Sequence, residues 1–327
     1  MRSVSARTER WPLAKPFTIS RGTKTAADVV VVEITDDDGT KGWAECVPYP
    51  RYNESTDSVL DQIKQTAPLI EEGISPQDLT ATMSAGAARN ALDCALWDIE
   101  AKAVGRRVWE LVGAPEPIAK VTAETISIGT MDEITEAAAA LKDAPLLKIK
   151  LNRDKVVTRM AAIRDSAPAA RLIIDPNESW DFDLLQDVTR SLADLGVEMI
   201  EQPLPSSEDG VLEKFDSPVD LCADESCHTA ETLPHLKNRY AMINIKLDKT
   251  GGLTEAIKLA QTAQDLNFGV MIGCMVGTSL AMAPATLLSP YARFVDLDGP
   301  LLLKEDRPNG LTFENGAVSP PDANLWG

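Results

Sequence analysis

The stretch LLKIKL (residues 146–151) decides the fold. In an extended strand, residues two apart share a face, so Lys148 and Lys150 point one way and Leu147, Ile149 and Leu151 the other. Lysine inside an apolar strand is costly unless it meets a partner. On its own the pattern also fits two exposed lysines on an edge strand, but MINIKL (residues 242–247) repeats it with Lys246. LIID (172–175), EMIEQ (198–202), DLCADES (220–226), GVMIGCM (269–275) and RFVDLD (293–298) are further short apolar runs carrying a polar residue. From Lys150 through Asp175, Glu201, Asp224, Lys246 and Cys274 to Asp296 the steps are 25, 26, 23, 22, 28 and 22 residues. One strand, one helix and two loops need about that many. VTAETISI (121–128) precedes these runs, and helical stretches such as 131–141 and 254–266 separate them. Alternating apolar strands and helices specify a parallel sheet, and eight such strands favour a closed barrel over an open doubly wound sheet. A barrel gathers the C-terminal ends of its strands at one mouth, so these scattered residues meet in one pocket.

The N-terminal third reads differently. VVVVEITDDDG (29–39) is a strand closed by an Asp-Gly turn, and WPLAKPFTISRGTKT before it is a broken strand with a loop around Arg21 and Gly22. Helices are expected over 57–69 and 87–104, the second stopped by Gly105. The Pro-rich GAPEPIAK (113–120) separates an α+β domain over 1–115 from a barrel over 116–299, with 300–327 packing back on the first domain.

The chain has 327 residues, 44% hydrophobic and 25% charged, with a net charge of -18. That acidity argues against nucleic acid or an anionic membrane as partner. No apolar run reaches about 18 residues, so no membrane-spanning helix is expected, and the start lacks a secretory h-region. The five cysteines are odd in number and lack CxxC spacing, which reads as reduced thiols of a cytoplasmic protein. His228 and His235 lie seven apart around a proline, which is not metal-pair spacing; Gly251 and Gly252 lack a fuller phosphate-binding fingerprint, and DDDG reads as a solvated turn.

Asp175, Glu201 and Asp224, on successive strands, form a hard-oxygen set suited to Mg²⁺, with Mn²⁺ as the alternative. A single acid in such a place is more often a helix cap or loop anchor. Lysines on the flanking strands favour one reaction class. A hydrogen alpha to a carboxylate is very weakly acidic because its removal makes an enediolate, whose charge a divalent ion stabilises. A lysine base must be neutral, and Lys148 beside Lys150, together with the metal, would push its pKa down. Lys246, four strands further round, would face Lys150 across the mouth. Two bases on opposite faces of one carbon invite epimerisation.

KIK (148–150), DPNESW (175–180), EQP (201–203), ADES (223–226), NIKLDKTGG (244–252) and the helix ARNALDCALWDIEAK (88–102) together resemble the enolase superfamily, in its muconate-lactonizing-enzyme subgroup, over nearly the whole chain. The resemblance implies a (β/α)7β modified TIM barrel with an N-terminal α+β capping domain. It implies one Mg²⁺ per site on Asp175, Glu201 and Asp224, and Lys150 and Lys246 as acid/base pair, with Lys148 on the substrate carboxylate. PYPRYNES (48–55), GCMVGTS (273–279) and FVDLDGP resemble the dipeptide epimerases, most closely those acting on L-Ala-D/L-Glu in reuse of cell-wall peptides. By that resemblance Asp296 and Asp298 grip the α-ammonium, Arg21 in a mobile loop binds the glutamate side-chain carboxylate, and Thr125 and Cys274 contact the dipeptide. Asn177 and Glu225 stand behind the ligands. Pro176 departs from the small residue common in relatives and could tighten the turn after Asp175. Another dipeptide specificity, a cycloisomerase or o-succinylbenzoate-synthase-like activity, and a non-catalytic metal-binding role remain open, as does assembly into a homo-oligomer.

Overall fold

The computed structural model describes residues 2–327. Three antiparallel strands open the chain: β1 (Ser3–Ile19), β2 (Gly22–Thr35) and β3 (Lys41–Cys46), in the order β1-β2-β3. The pairing of β1 with β2 shifts register between Pro12 and Phe17. Pro12 and Pro16 lack the N–H that a ladder needs, which is why this strand reads as broken. Val29 to Val32 are all fully buried, as an unbroken apolar run requires when both faces of a strand are covered. The helices α1 (Thr56–Glu71), α2 (Pro76–Thr82), α3 (Ala87–Val104) and α4 (Val108–Leu111) follow. Helix α1 begins at a Ser55–Ser58 capping box and α3 ends at Gly105 in the left-handed conformation, φ 64°.

The strand expected over 121–128 is split. Its first part, β4 (Lys120–Val121), pairs outside the barrel with a late strand, and β5 (Glu124–Ile126) enters the barrel. The barrel continues as α5 (Met131–Ala140), β6 (Leu146–Lys150), α6 (Val156–Ser166), β7 (Arg171–Asp175), α7 (Phe182–Asp194), β8 (Val197–Glu201), β9 (Asp220–Ala223), α8 (Leu233–Leu236), β10 (Met242–Ile245), α9 (Leu247–Thr250), α10 (Leu253–Asp265), β11 (Gly269–Ile272), α11 (Ser279–Met282) and β12 (Phe294–Val295). Its eight parallel strands run β5 to β12 in sequence order. A parallel bridge from Thr122 to Val295 joins the last strand to the first, with Ala123 N–H donating to Val295 O at 2.7 Å. Between β8 and β9, Gly210 and Pro218 leave only a short 3₁₀ turn.

Past β12 the chain meets the opening domain. Lys304 N–H donates to Pro12 O, Gly327 N–H to Asp98 Oδ1, and Arg307 pairs with Glu9 and Glu45. β13 (Phe313–Glu314) and β14 (Ala317–Val318) complete a small sheet with β4. Among the described residues all five cysteines are free and no helix is long and apolar enough to cross a membrane.

Inside the barrel Ala123, Leu146, Ile173, Met199, Cys222, Met242, Met271 and Phe294, one from each strand or its lead-in, form a separate apolar floor. Two residues further along each strand come Thr125, Lys148, Asp175, Glu201, Asp224, Asn244, Gly273 and Asp296. The period of two carries each strand from an apolar layer to a polar one on the same inward face.

Candidate active site

The polar layer is cross-braced by charge. Lys148 Nζ lies 2.6 Å from Asp296 Oδ2, 2.7 Å from Glu201 Oε2 and 3.4 Å from Asp175 Oδ2. Lys150 Nζ lies 2.5 Å from Asp175 Oδ2, and Lys246 Nζ 2.7 Å from Asp224 Oδ2 and 3.5 Å from Glu201 Oε1. Lys249, wholly buried, donates to the Asp224 carbonyl and lies 2.8 Å from Asp224 Oδ1. Burial alone would lower the Lys148 and Lys246 ammonium groups. The carboxylates outweigh it: Asp296 and Glu201 raise Lys148 well above the ordinary lysine value, and Asp224 and Glu201 do the same to Lys246. Asp175, which burial would raise, is held at about 2 by Lys150 and Lys148. Glu201 is pushed up by burial and by Asp175, whereas Lys246 and Lys249 hold Asp224 far down against its burial.

Backbone geometry sets the acids in place. Asn177 (φ 49°), Glu178 (φ 63°) and Gln202 (φ 33°) are left-handed non-glycine residues directly beyond β7 and β8, and such strain clusters at functional sites. Asn177 donates from its backbone N and from Nδ2 to the two oxygens of Asp175, so the turn containing Pro176 keeps Asp175 buried and oriented. Asn244, also wholly buried, donates to Glu201 Oε1 at 2.7 Å. Gly273 sits where a Cβ would come within 2.6 Å of Asn244 Oδ1 and 3.0 Å of Lys246 Cε. Neither residue is singled out by its own run of sequence. The signal that finds them is the register, two residues beyond the floor.

Above this layer is a cavity of about 420 Å³, the size of a small-ligand pocket. Lys148, Lys150 and Lys246 line it, as do Thr125, Asn177, Cys274, Asp296 and Asp298. Asp175, Glu201 and Asp224 do not; the ammonium groups stand between them and the cavity. Among the described residues no three Asp, Glu, His or Cys side chains converge closely enough to hold an ion between them. The donor set nevertheless fits a hard divalent ion. Three buried carboxylates end consecutive strands, and Glu201 Oε2 and Asp224 Oδ1 accept no hydrogen bond, meeting only ammonium groups. Asp298 accepts the Thr125 N–H at 2.8 Å, and burial and the Asp296 carboxylate push it up to about 7. Burial and Asp224 likewise push Glu225 up to about 8, against the pull of Arg21.

The cap loop after β1 closes the cavity from the other side. Arg21 lines it, but its guanidinium is largely engaged. It donates to Tyr49 OH at 2.8 and 3.1 Å, to Glu225 Oε1 at 2.7 Å and to Asn177 O at 3.1 Å. Ser20 donates to Asn177 O as well, and Arg51 pairs with Glu178, so the loop is latched onto the barrel turns behind the acids. Among the described residues the Lys24 ammonium, on the same wall, makes no hydrogen bond or ion pair, and it lies 5.5 Å from the Tyr49 ring centroid. Sequence reading passed over it, although ISRGTKT shows a second cation three residues after Arg21.

Comparison with known proteins shows the family and the fold. Residues 1–113 match the family described as mandelate racemase / muconate lactonizing enzyme, N-terminal domain, and residues 132–324 match enolase C-terminal domain-like. The L-Ala-D/L-Glu epimerase of Escherichia coli (strain K12) is 49% identical over 97% of this chain and 99% of its own. An N-acetyl-D-glutamate racemase of Pseudoalteromonas sp is 48% identical over 91% and 95%. An enolase family member from Agrobacterium tumefaciens, with homology to dipeptide epimerases and bound sodium and L-Ala-L-Glu, superposes with a TM-score of 0.97 at 48% identity, covering 100% of both chains. A dipeptide epimerase from Methylococcus capsulatus, complexed with Mg and L-Arg-D-Lys, gives 0.87 at 29% identity over 98% of both.

Proposed function

The chain belongs to the mandelate racemase / muconate lactonizing enzyme family of the enolase superfamily, and on that footing we propose that it is an epimerase of L-Ala-D/L-Glu dipeptides, acting at the glutamate α-carbon in reuse of cell-wall peptides. The observation that carries this reading is the pair of buried lysines, Lys150 ending β6 and Lys246 just after β10, four strands apart in an eight-stranded barrel and both facing one cavity. One removes the α-proton from its side of the carbon, and the other returns a proton from the opposite side. Lys148, against Glu201 and Asp296 and lining the same cavity, would meet the substrate carboxylate. Asp175, Glu201 and Asp224 would hold Mg²⁺, which supplies positive charge to the carboxylate oxygens as the α-carbon loses its proton. With those acids engaged elsewhere, burial favours the neutral amine that Lys246 needs as a base. Asp296 and Asp298 meet the α-ammonium. In place of Arg21, Lys24 is the cation left to meet the side-chain carboxylate.

The test is incubation with L-Ala-L-Glu and Mg²⁺ in D₂O. Deuterium at the glutamate α-carbon together with appearance of L-Ala-D-Glu is expected; neither would end the reading. A second reading, racemisation of N-acetylglutamate, draws on the 48% identical relative and on Asp296 already being paired with Lys148. A kcat/KM for N-acetyl-L-glutamate exceeding that for L-Ala-L-Glu would favour it.

A further inference from the structure

The three acids stand on three different strands, and one side chain outside the cavity joins the loops that carry them. Gln202, the residue after Glu201, is fully buried. Its Oε1 accepts the N–H of Asp224 at 2.9 Å and of Ser226 at 3.1 Å. Its Nε2 faces Leu204 O at 3.0 Å, Ser226 Oγ at 2.9 Å and Tyr240 OH at 2.9 Å. Its backbone N–H donates to Cys222 O at 2.8 Å, and its carbonyl accepts the N–H of Glu178 at 2.9 Å. The loops after β7, β8 and β9 therefore all meet at this residue.

Only one amide orientation works. Reversing it would set the NH₂ against two N–H donors and the oxygen against the Leu204 carbonyl. Ser226 and Tyr240 donate their hydroxyl hydrogens to Asp209, at 2.6 and 2.9 Å, and Arg239 anchors Asp209 in turn. Both hydroxyls thus keep lone pairs for Nε2. A carboxamide is the side chain that accepts twice and donates twice here. Glutamate could not donate, and methionine could do neither. The left-handed backbone at Gln202 persists because these bonds over-determine it.

We infer that Gln202 is a positioning residue for the Mg²⁺ site, fixing Glu201 against Asp224 and the turn behind Asp175. This rests on the assignment of Asp175, Glu201 and Asp224 as ligands. Titration calorimetry with MgCl₂ on the intact protein tests both. Gln202→Met is expected to weaken Mg²⁺ binding by about ten-fold or more, as loss of a group orienting a ligating carboxylate does. Its kcat should recover in large part as Mg²⁺ is raised, with the dipeptide KM at saturating Mg²⁺ unchanged. Tyr240→Phe, which leaves Oε1 and both backbone links intact, should keep Mg²⁺ affinity within about two-fold of the parent. A Gln202→Met protein that melts lower yet binds Mg²⁺ as the parent does overturns the inference. If that variant does not fold, Gln202→Glu is judged by the same criterion. A parent protein that fails to bind Mg²⁺, or Asp224→Asn that binds it equally well, sinks the ligand assignment instead.

Discussion

At the barrel mouth Lys148, Lys150 and Lys246 are 1%, 8% and 5% exposed, and each ammonium lies within 2.7 Å of a carboxylate. Across the same cavity, near the start of β2 beside the cap loop, Lys24 is only half-buried and faces an aromatic ring. The two regions answer different demands. A proton-transfer group must be held to a fraction of an ångström and keep a tuned pKa, which needs burial and several fixed partners. A group that recognises the end of a side chain needs a free charge on a surface the substrate can reach. Changes at the mouth should therefore appear in kcat, and changes on the loop in KM.

The largest effect is expected from the lysines themselves. Lys246→Ala or Lys150→Ala should each lower epimerisation by about 10²- to 10⁴-fold, the usual contribution of a positioned acid or base. The sharper readout is isotopic. Each variant should lose α-deuterium exchange with one glutamate configuration and keep it, slowed, with the other, so exchange from L-Ala-L-Glu and L-Ala-D-Glu assigns a lysine to each face. Variants that both retain exchange with both configurations would show that the mouth is not the site of chemistry.

Next comes a residue with no chemistry of its own. Gly273→Ala would place a methyl 2.6 Å from Asn244 Oδ1 and 3.0 Å from Lys246 Cε, so Asn244 and with it Glu201, or Lys246 itself, must move. A displacement of about 1 Å at a reacting group costs on the order of 100-fold in kcat. The dipeptide KM should change little. An unchanged kcat would mean that the polar layer tolerates slack, and the contrast between mouth and loop would weaken.

The two-residue alternation of LLKIKL and the recurrence of acids at strand ends made the barrel and its inward lysines and carboxylates legible in sequence, because a strand's faces are fixed by local geometry. What was not legible depends on distant partners. Gln202 acquires its role from the Asp224 N–H, 22 residues on, and Asn244 from Glu201, 43 residues back. Gly273 matters for the side chain it does not have. Arg21 reads as a free cation until Glu225, 204 residues away, and Tyr49 are found on its guanidinium. The run over 121–128 shows strand character throughout, yet only tertiary pairing divides it between two sheets.

The proposal that Lys24 rather than Arg21 meets the side-chain carboxylate predicts a smaller effect. Lys24→Met should raise KM for L-Ala-L-Glu by about ten-fold or more, the worth of one charged hydrogen bond, with kcat nearly unchanged. L-Ala-L-Ala, lacking the side-chain carboxylate, should be handled equally by parent and variant. Arg21→Met should instead loosen the latch between loop and barrel and weaken both dipeptides together. If Arg21→Met alone selectively penalises the glutamate dipeptide, Arg21 is the recognition cation and Lys24 is a bystander.

The mildest test asks whether Asp298 belongs with the mouth or with the loop. Burial and Asp296 push its carboxyl up to about 7, so it is charged above that pH and neutral below. An α-ammonium is attracted to the charged form. If Asp298 meets it, kcat/KM for L-Ala-L-Glu should fall as pH drops below about 7, by about ten-fold per unit at the steepest. N-acetyl-L-glutamate has no ammonium and should show no such limb. Asp298→Asn would flatten the limb for the dipeptide while keeping an acceptor for the Thr125 N–H. A limb that persists in Asp298→Asn, or that N-acetyl-L-glutamate shares, would arise from the acid/base groups at the mouth, and Asp298 would then serve only to hold Thr125 and the edge of β5.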